Sequence, residues 1–138
     1  MSADALETFG ATVRAMRSRV DRALLPLGMR IGQYQVLRAL WETDGLTPRQ
    51  LAERTAVEMP TVTRTVQRMI RDGLVRREAN PKDARSVRIL LSDKGRSLRA
   101  SVEETLSREM AFALDGVASG DQAQLIRLLE RIQHNLRA

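Results

Sequence analysis

A chain of 138 residues, 43% hydrophobic and 29% charged, is long enough to bury one shared core without disulfides or metals. It has no cysteine, which excludes a disulfide framework, a thiolate metal site and a cysteine redox switch. The formal charge of +6 is concentrated. Residues 49–99 hold 13 Lys/Arg against 6 Asp/Glu, whereas the rest of the chain holds 10 against 11. A local positive field of this kind suits a polyanion.

The first twenty residues lack an uninterrupted apolar stretch and carry acids near their start, so they read as an amphipathic helix rather than a secretory signal. Leu6, Phe9, Val13, Met16, Val20 and Leu24 recur at spacings of three and four and form one stripe, closed near Pro26 and Gly28. A second helix is expected from about Gly32 to Thr43, with Tyr34, Leu37, Leu40 and Trp41 on its apolar side and Gly45 stopping it. Thr47-Pro48-Arg49-Gln50 is a strong helix start: a capping threonine, a proline at the first helical position and a glutamine that completes a capping box. No run approaches the length of a membrane-spanning helix, and cytoplasmic residence is the default expectation.

After a short turn over Thr55 to Met59, a helix of about a dozen residues should follow Pro60. At 100° per residue, Val62, Val66, Met69 and Ile70 fall on one side. Thr61, Arg64, Gln67, Arg68 and Arg71 fall on the other, with Thr63 at the flank. The first side must pack; the second consists of hydrogen-bonding and cationic groups left free. Asp72-Gly73 ends the helix, Gly73 suiting a left-handed C-cap. Leu74–Glu78 and Ser86–Leu91 read as antiparallel strands, with Val87, Ile89 and Leu91 alternating inward and a basic turn over residues 80–85 between them. Ser92 or Asp93 can cap a long helix carrying Leu98, Val102, Leu106 and Met110. Gly116 to Gly120 breaks it, and a last helix carries Leu125, Leu128, Leu129, Ile132 and Leu136.

This order predicts a mainly α fold with a small β-hairpin wing. A winged helix-turn-helix over residues 31–95 would be flanked by terminal helical segments, 1–30 and 96–138, that meet a second copy of the chain. A helix of this kind fits the major groove, where Arg donates twice to guanine and Gln pairs with adenine. Arg64 and Gln67 suit base edges, Thr61 and nearby amides at the helix start suit phosphates, and Arg68 suits a phosphate or a solvated charge. Lys82 and Arg85 sit where a hairpin tip would enter a minor groove, and Asp83 forms the turn beside them. Arg76, Arg77 and Arg88 read as strand-surface charges.

In its ordered combination of motifs the chain resembles the MarR family of bacterial transcriptional regulators, including the SlyA-like proteins. The matching pieces are Leu51-Ala52-Glu53-Arg54, Thr61-Val62-Thr63-Arg64, Arg71 to Arg77, Asp83-Ala84-Arg85-Ser86 and Leu90 to Gly95. The resemblance implies a homodimer, joined through interdigitating terminal helices, on a pseudo-palindromic operator in double-stranded DNA. Thr61, Thr63 and Arg64 match positions that touch phosphates and bases. Arg85 matches the wing-tip arginine of the minor groove, and Asp83 matches the acid that orients arginines. The alanine at 84 and the serine at 92 depart from the commonest pattern without disturbing this chemistry. Repression also follows from the family rather than from these residues.

Two groups of residues have a plainer reading. Met16, Tyr34 and Trp41 suit either a small-molecule effector pocket or ordinary core, and core is preferred. His134 is a lone histidine beside an apolar stripe, with no partner at ligand spacing, and reads as structural or exposed. An enzyme is disfavoured, because the chain has one histidine, no cysteine, no nucleophile-elbow motif and no phosphate-cradling glycine loop. No cofactor or metal is expected. The remaining rival is a winged-helix module that binds protein or RNA.

Overall fold

The computed structural model describes residues 3–137. Met1, Ser2 and Ala138, which the expected terminal segments include, lie outside the described residues. The chain forms α1 (Ala3–Leu24), a single 3-10 turn (Leu25–Leu27), α2 (Ile31–Glu42), α3 (Pro48–Thr55) and α4 (Met59–Arg71). The hairpin of β1 (Val75–Asn80) and β2 (Asp83–Leu91) follows, and then α5 (Asp93–Ser97), α6 (Arg99–Ala113) and α7 (Ser119–Leu136).

One core is built where α2, α3, α4 and the root of the hairpin meet. Leu37, Leu40, Leu51, Val62, Met69 and Ile89 are essentially sealed from solvent, and Leu24 and Val102 bring α1 and α6 into the same cluster. The predicted packing side of α4 is buried at Val62, Val66 and Met69, with Ile70 half-buried. In the hairpin Ile89 and Leu91 turn inward as the alternation required, and Val87 packs against the cluster from the side.

Local chemistry explains the boundaries. The Thr47 hydroxyl accepts the Gln50 amide at 3.2 Å while the Gln50 side chain accepts the Thr47 amide at 2.9 Å, closing the expected capping box. Gly73 takes a φ of +75°, which lets the chain leave α4 and enter β1. The hairpin is longer than its sequence suggests: the six-residue basic turn shrinks to Pro81-Lys82, because Asn80 and Asp83 pair directly across it. Its tip is closed by side chains as well as backbone, with Asn80 Nδ2 donating to Ser86 Oγ at 2.9 Å.

Three expectations are corrected. Helix α4 begins at Met59, capped by Glu58 without a side-chain bond, so Met59 lies inside the helix. The long helix after Ser92 is two helices joined at Leu98, the first held by the Ser92 hydroxyl accepting the Gly95 amide. Leu46 adds a third, one-residue rung to the hairpin: the Ile89 amide donates to the Leu46 carbonyl at 2.8 Å. Gly45 reads as a stop signal, and nothing in the surrounding composition announces a strand one residue on.

Candidate nucleic-acid interface

Helix α4 buries one side and leaves the other to solvent: Thr61, Thr63, Arg64, Gln67 and Arg68 are all exposed, as predicted. Arg64 approaches Thr61 Oγ1 at 3.5 Å, the outer limit of a hydrogen bond, so its donors stay available. Neither Arg68 nor Gln67 has a side-chain partner among the described residues. The face therefore presents donors that no internal acceptor has claimed.

The wing tip carries the second group. Lys82, Asp83 and Arg85 are exposed, with the Arg85 side chain at 95% of its full accessibility. Asp83 Oδ1 accepts the Arg85 amide at 3.0 Å and lies 3.7 Å from Arg85 Nε. Asp83 thus fixes the backbone of the turn by a local hydrogen bond and only loosely restrains the guanidinium, since an exposed ion pair at this distance contributes little. The structure gathers these eight exposed residues in two places, five on α4 and three at the hairpin tip.

Other cations differ. Arg76 donates to Glu78 at 2.6 Å and Arg88 lies 3.5 Å from the same carboxylate; Arg76, then Arg88, hold the Glu78 carboxyl below its ordinary range. Arg71 pairs with Asp72, Arg96 with Asp44 and Asp93, and Arg99 with Glu103. Carboxylates inside the chain occupy these arginines and leave Arg64, Arg68, Lys82 and Arg85 for an outside anion, apart from the loose Asp83 contact. Of the strand arginines, only Arg77 has no acidic partner among the described residues.

The positions of α4 and the wing are fixed by contacts that sequence reasoning missed. Ser92 Oγ donates to the Gly73 carbonyl and Lys94 Nζ to the Asp72 carbonyl at 3.0 Å, so the start of α5 grips the end of α4. Asp44 Oδ1 accepts the Leu91 amide at 2.9 Å and pins the wing root. Trp41 Nε1 donates to the Gly95 carbonyl at 3.0 Å, and Tyr34 lies against Trp41 with ring centroids 6.5 Å apart. Tyr34 and Trp41 both pack on the core, which supports the core reading for them, whereas Met16 on α1 is half-buried outside that cluster. His134 is exposed. Among the described residues no cluster of His, Cys, Asp or Glu suits a metal ion, and no helix is long and apolar enough to cross a membrane.

Three helices and a two-stranded wing, with a polar-faced third helix, define a winged helix-turn-helix. The sequence profile of the MarR family matches residues 27–86, which take in α2, α3, α4 and β1 and end inside β2. The transcriptional regulator PA3341 is 34% identical over 95% of this chain and 96% of its own, with a TM-score of 0.81. The transcriptional regulator SlyA is 25% identical over 97% of this chain and 94% of its own, with a TM-score of 0.87. A MarR transcriptional regulator from Methanosarcina mazei Go1 shares the fold at a TM-score of 0.88 and 22% identity, over 97% of this chain and 96% of its own. The chain belongs to the MarR family of transcriptional regulators.

Proposed function

We propose that the protein is a homodimeric repressor that binds a pseudo-palindromic operator in double-stranded DNA. Each α4 occupies a major groove and each hairpin tip the adjoining minor groove. One observation carries this reading: the exposed face of α4 and the wing tip hold Arg64, Arg68 and Lys82, which no carboxylate pairs among the described residues, and Arg85, held only loosely by Asp83, while Arg71, Arg76 and Arg88 are paired. Arg64 and Gln67 read base edges, Thr61, Thr63 and Arg68 meet phosphates, and Lys82 and Arg85 follow the minor groove. A dimer seated on a promoter excludes polymerase without any further surface.

The dimer is supported by what the single chain leaves uncovered. Leu6, Phe9 and Val13 of α1, Met110 and Phe112 of α6, and Leu125, Leu128 and Ile132 of α7 are exposed, and α7 buries no residue at all. Stripes of this length on three terminal helices exceed the scattered apolar residues of an ordinary surface. With residues 1–30 and 96–138 joining two copies, the reading helices would face half-sites about one helical turn apart.

The test is selection of bound fragments from genomic DNA, followed by titration of the recovered duplex against random competitor. The expected result is a preferred, roughly symmetric site whose affinity falls steeply with salt. Equal affinity for every duplex at low ionic strength rejects the proposal, and preference for RNA or a protein partner favours the interaction-module alternative.

A further inference from the structure

The flank of α4 that faces α1 borders two clefts that the winged helix alone does not explain. The larger, about 700 Å³, lies against the α1–α2 junction and is lined by Thr65, Arg68 and Arg71 of α4 together with Arg30 and Gly32. The smaller, about 160 Å³, is lined by Thr61 and Thr65 of α4, Gly32 of α2 and Arg17 of α1. Thr65 and Gly32 border both, so the two clefts adjoin and outline a channel along the helix. We propose that this channel receives one phosphodiester strand of the bound duplex and that Arg17 is its outermost phosphate contact, on a helix otherwise given to dimerisation. The proposal rests on the DNA-binding reading above and extends it.

The geometry follows from two widths. An α-helix with its side chains is about 10–12 Å across, and the major groove it enters is about 12 Å wide. Its two flanks therefore meet the two phosphate walls of the groove. The wall on the side of Thr61, Thr65 and Arg68 has to run past the α1–α2 junction, and that is where the channel lies. The channel is also open at its middle: a side chain placed on Gly32 would meet nothing within 4 Å.

The charges lining the channel favour an anion and show which groups are available. Arg30 is taken up by Asp21, to which Nη2 donates at 2.6 Å, and Arg71 lies 3.4 Å from Asp72. Each of these pairs is nearly neutral. Arg68 and Arg17 form no ion pair among the described residues, although Arg17 lies near enough to Asp21 to help hold its carboxyl down, and four arginines against two aspartates leave the lining net positive. A phosphodiester strand, with one negative charge per nucleotide, fits a channel with a free cation towards each end.

The experiment uses the full-length protein and the duplex recovered by genomic selection, with affinities measured over a salt series and contacted phosphates mapped by ethylation interference. Arg17→Ala is expected to flatten the slope of log affinity against log salt by about 0.9 for each phosphate it ceases to neutralise. It should erase interference at phosphates on the flank away from the wing, and leave the ranking of single-base operator variants unchanged. Arg17→Lys is expected to restore the slope. A second arm, Gly32→Glu, places an acid in the open middle of the channel and should weaken binding by about tenfold through like-charge repulsion, with an unchanged melting temperature. If Arg17→Ala and Gly32→Glu both keep the wild-type slope and phosphate map, the channel carries no DNA and the inference fails alone. If wild-type protein shows no salt-dependent preference for any duplex, the DNA-binding reading fails as well.

Discussion

Asp21, three residues before the end of α1, holds Arg30 at the threshold of α2: Arg30 Nη2 donates to Oδ2 at 2.6 Å and Nε to Oδ1 at 3.0 Å. The same carboxylate accepts the Ile31 amide at 2.9 Å, so it caps α2 from another helix. Gln33 continues the connection, accepting the Arg30 amide and donating to Asp72 at the end of α4. A terminal helix and α4 are thereby joined through one polar chain.

That arrangement has a pH signature. The Arg30 hydrogen bond, then the Ile31 amide, holds the Asp21 carboxyl below its ordinary value of 3.8. A carboxylate with a depressed folded-state pKa contributes stability above the unfolded value and loses it as pH falls through the folded one. Asp21 should therefore contribute fully at neutral pH and progressively less below about pH 4. Asp21→Asn is expected to lower the melting temperature at pH 7 and to make its fall between pH 5 and pH 3 shallower, by roughly one titrating group. Parallel acid limbs for the two proteins in thermal denaturation contradict the assignment.

Gly95 is buried where α5 crosses the end of α4, and a methyl group added to it would overlap the Leu74 carbonyl, which is backbone and cannot rotate aside. Gly95→Ala should therefore cost about 1–3 kcal/mol, the usual range for overpacking a tight site. It should also disturb the Trp41 hydrogen bond to the Gly95 carbonyl. Urea denaturation with tryptophan fluorescence reads both effects, since Trp41 is the only tryptophan. An unchanged midpoint and emission spectrum would mean that the backbone there yields easily.

Much of this was legible in the sequence. The two sides of α4, the capping box at Thr47 and the inward alternation of Ile89 and Leu91 follow from local spacing, and each element formed as its residues required. What stayed hidden depends on distant partners. Leu46 pairs with Ile89, Asp44 caps the Leu91 amide, and Asp21 caps α2, each across a separation that no periodicity encodes. The break at Leu98 was missed because the apolar row runs straight through it; the Ser92 cap and the tight crossing at Gly95 start a short separate helix first. The seven proposed contact residues were found from charge and helical phase, but their availability depends on which acids lie near the other arginines.

Arg64 projects from α4 with only a marginal contact to Thr61. If it donates twice to a guanine, Arg64→Ala should lose about 1–3 kcal/mol on the preferred operator and much less on variants lacking that base pair. Titration of a set of single-base variants checks this. A uniform loss across the set would make Arg64 a phosphate contact.

Arg85 differs in what it should sense. Its side chain is almost fully exposed near the tip of the hairpin, and a narrow A·T-rich minor groove concentrates negative potential around such a cation. Arg85→Ala should therefore weaken binding most on operators with A·T-rich flanks. Equal losses on A·T-rich and G·C-rich flanks reject minor-groove insertion. Asp83→Ala offers a control, since it removes the acceptor of the Arg85 amide while leaving the charge of Arg85 in place.

The dimer can be tested on a residue whose replacement leaves the single chain intact. Leu128 of α7 is 50% exposed, and α7 contributes nothing to the core, so an aspartate there is solvated in an isolated chain. In a seam between two copies the same aspartate would be buried without a partner, at a cost of several kcal/mol counted once for each protomer. Leu128→Asp is expected to sediment as a monomer with an unchanged circular dichroism spectrum. Two half-sites held by one dimer bind through effective concentration, so the monomer should also lose operator affinity by about a hundredfold or more. A variant that still sediments as a dimer would exclude the Leu128 face of α7 from the seam and move the interface to α1 and α6.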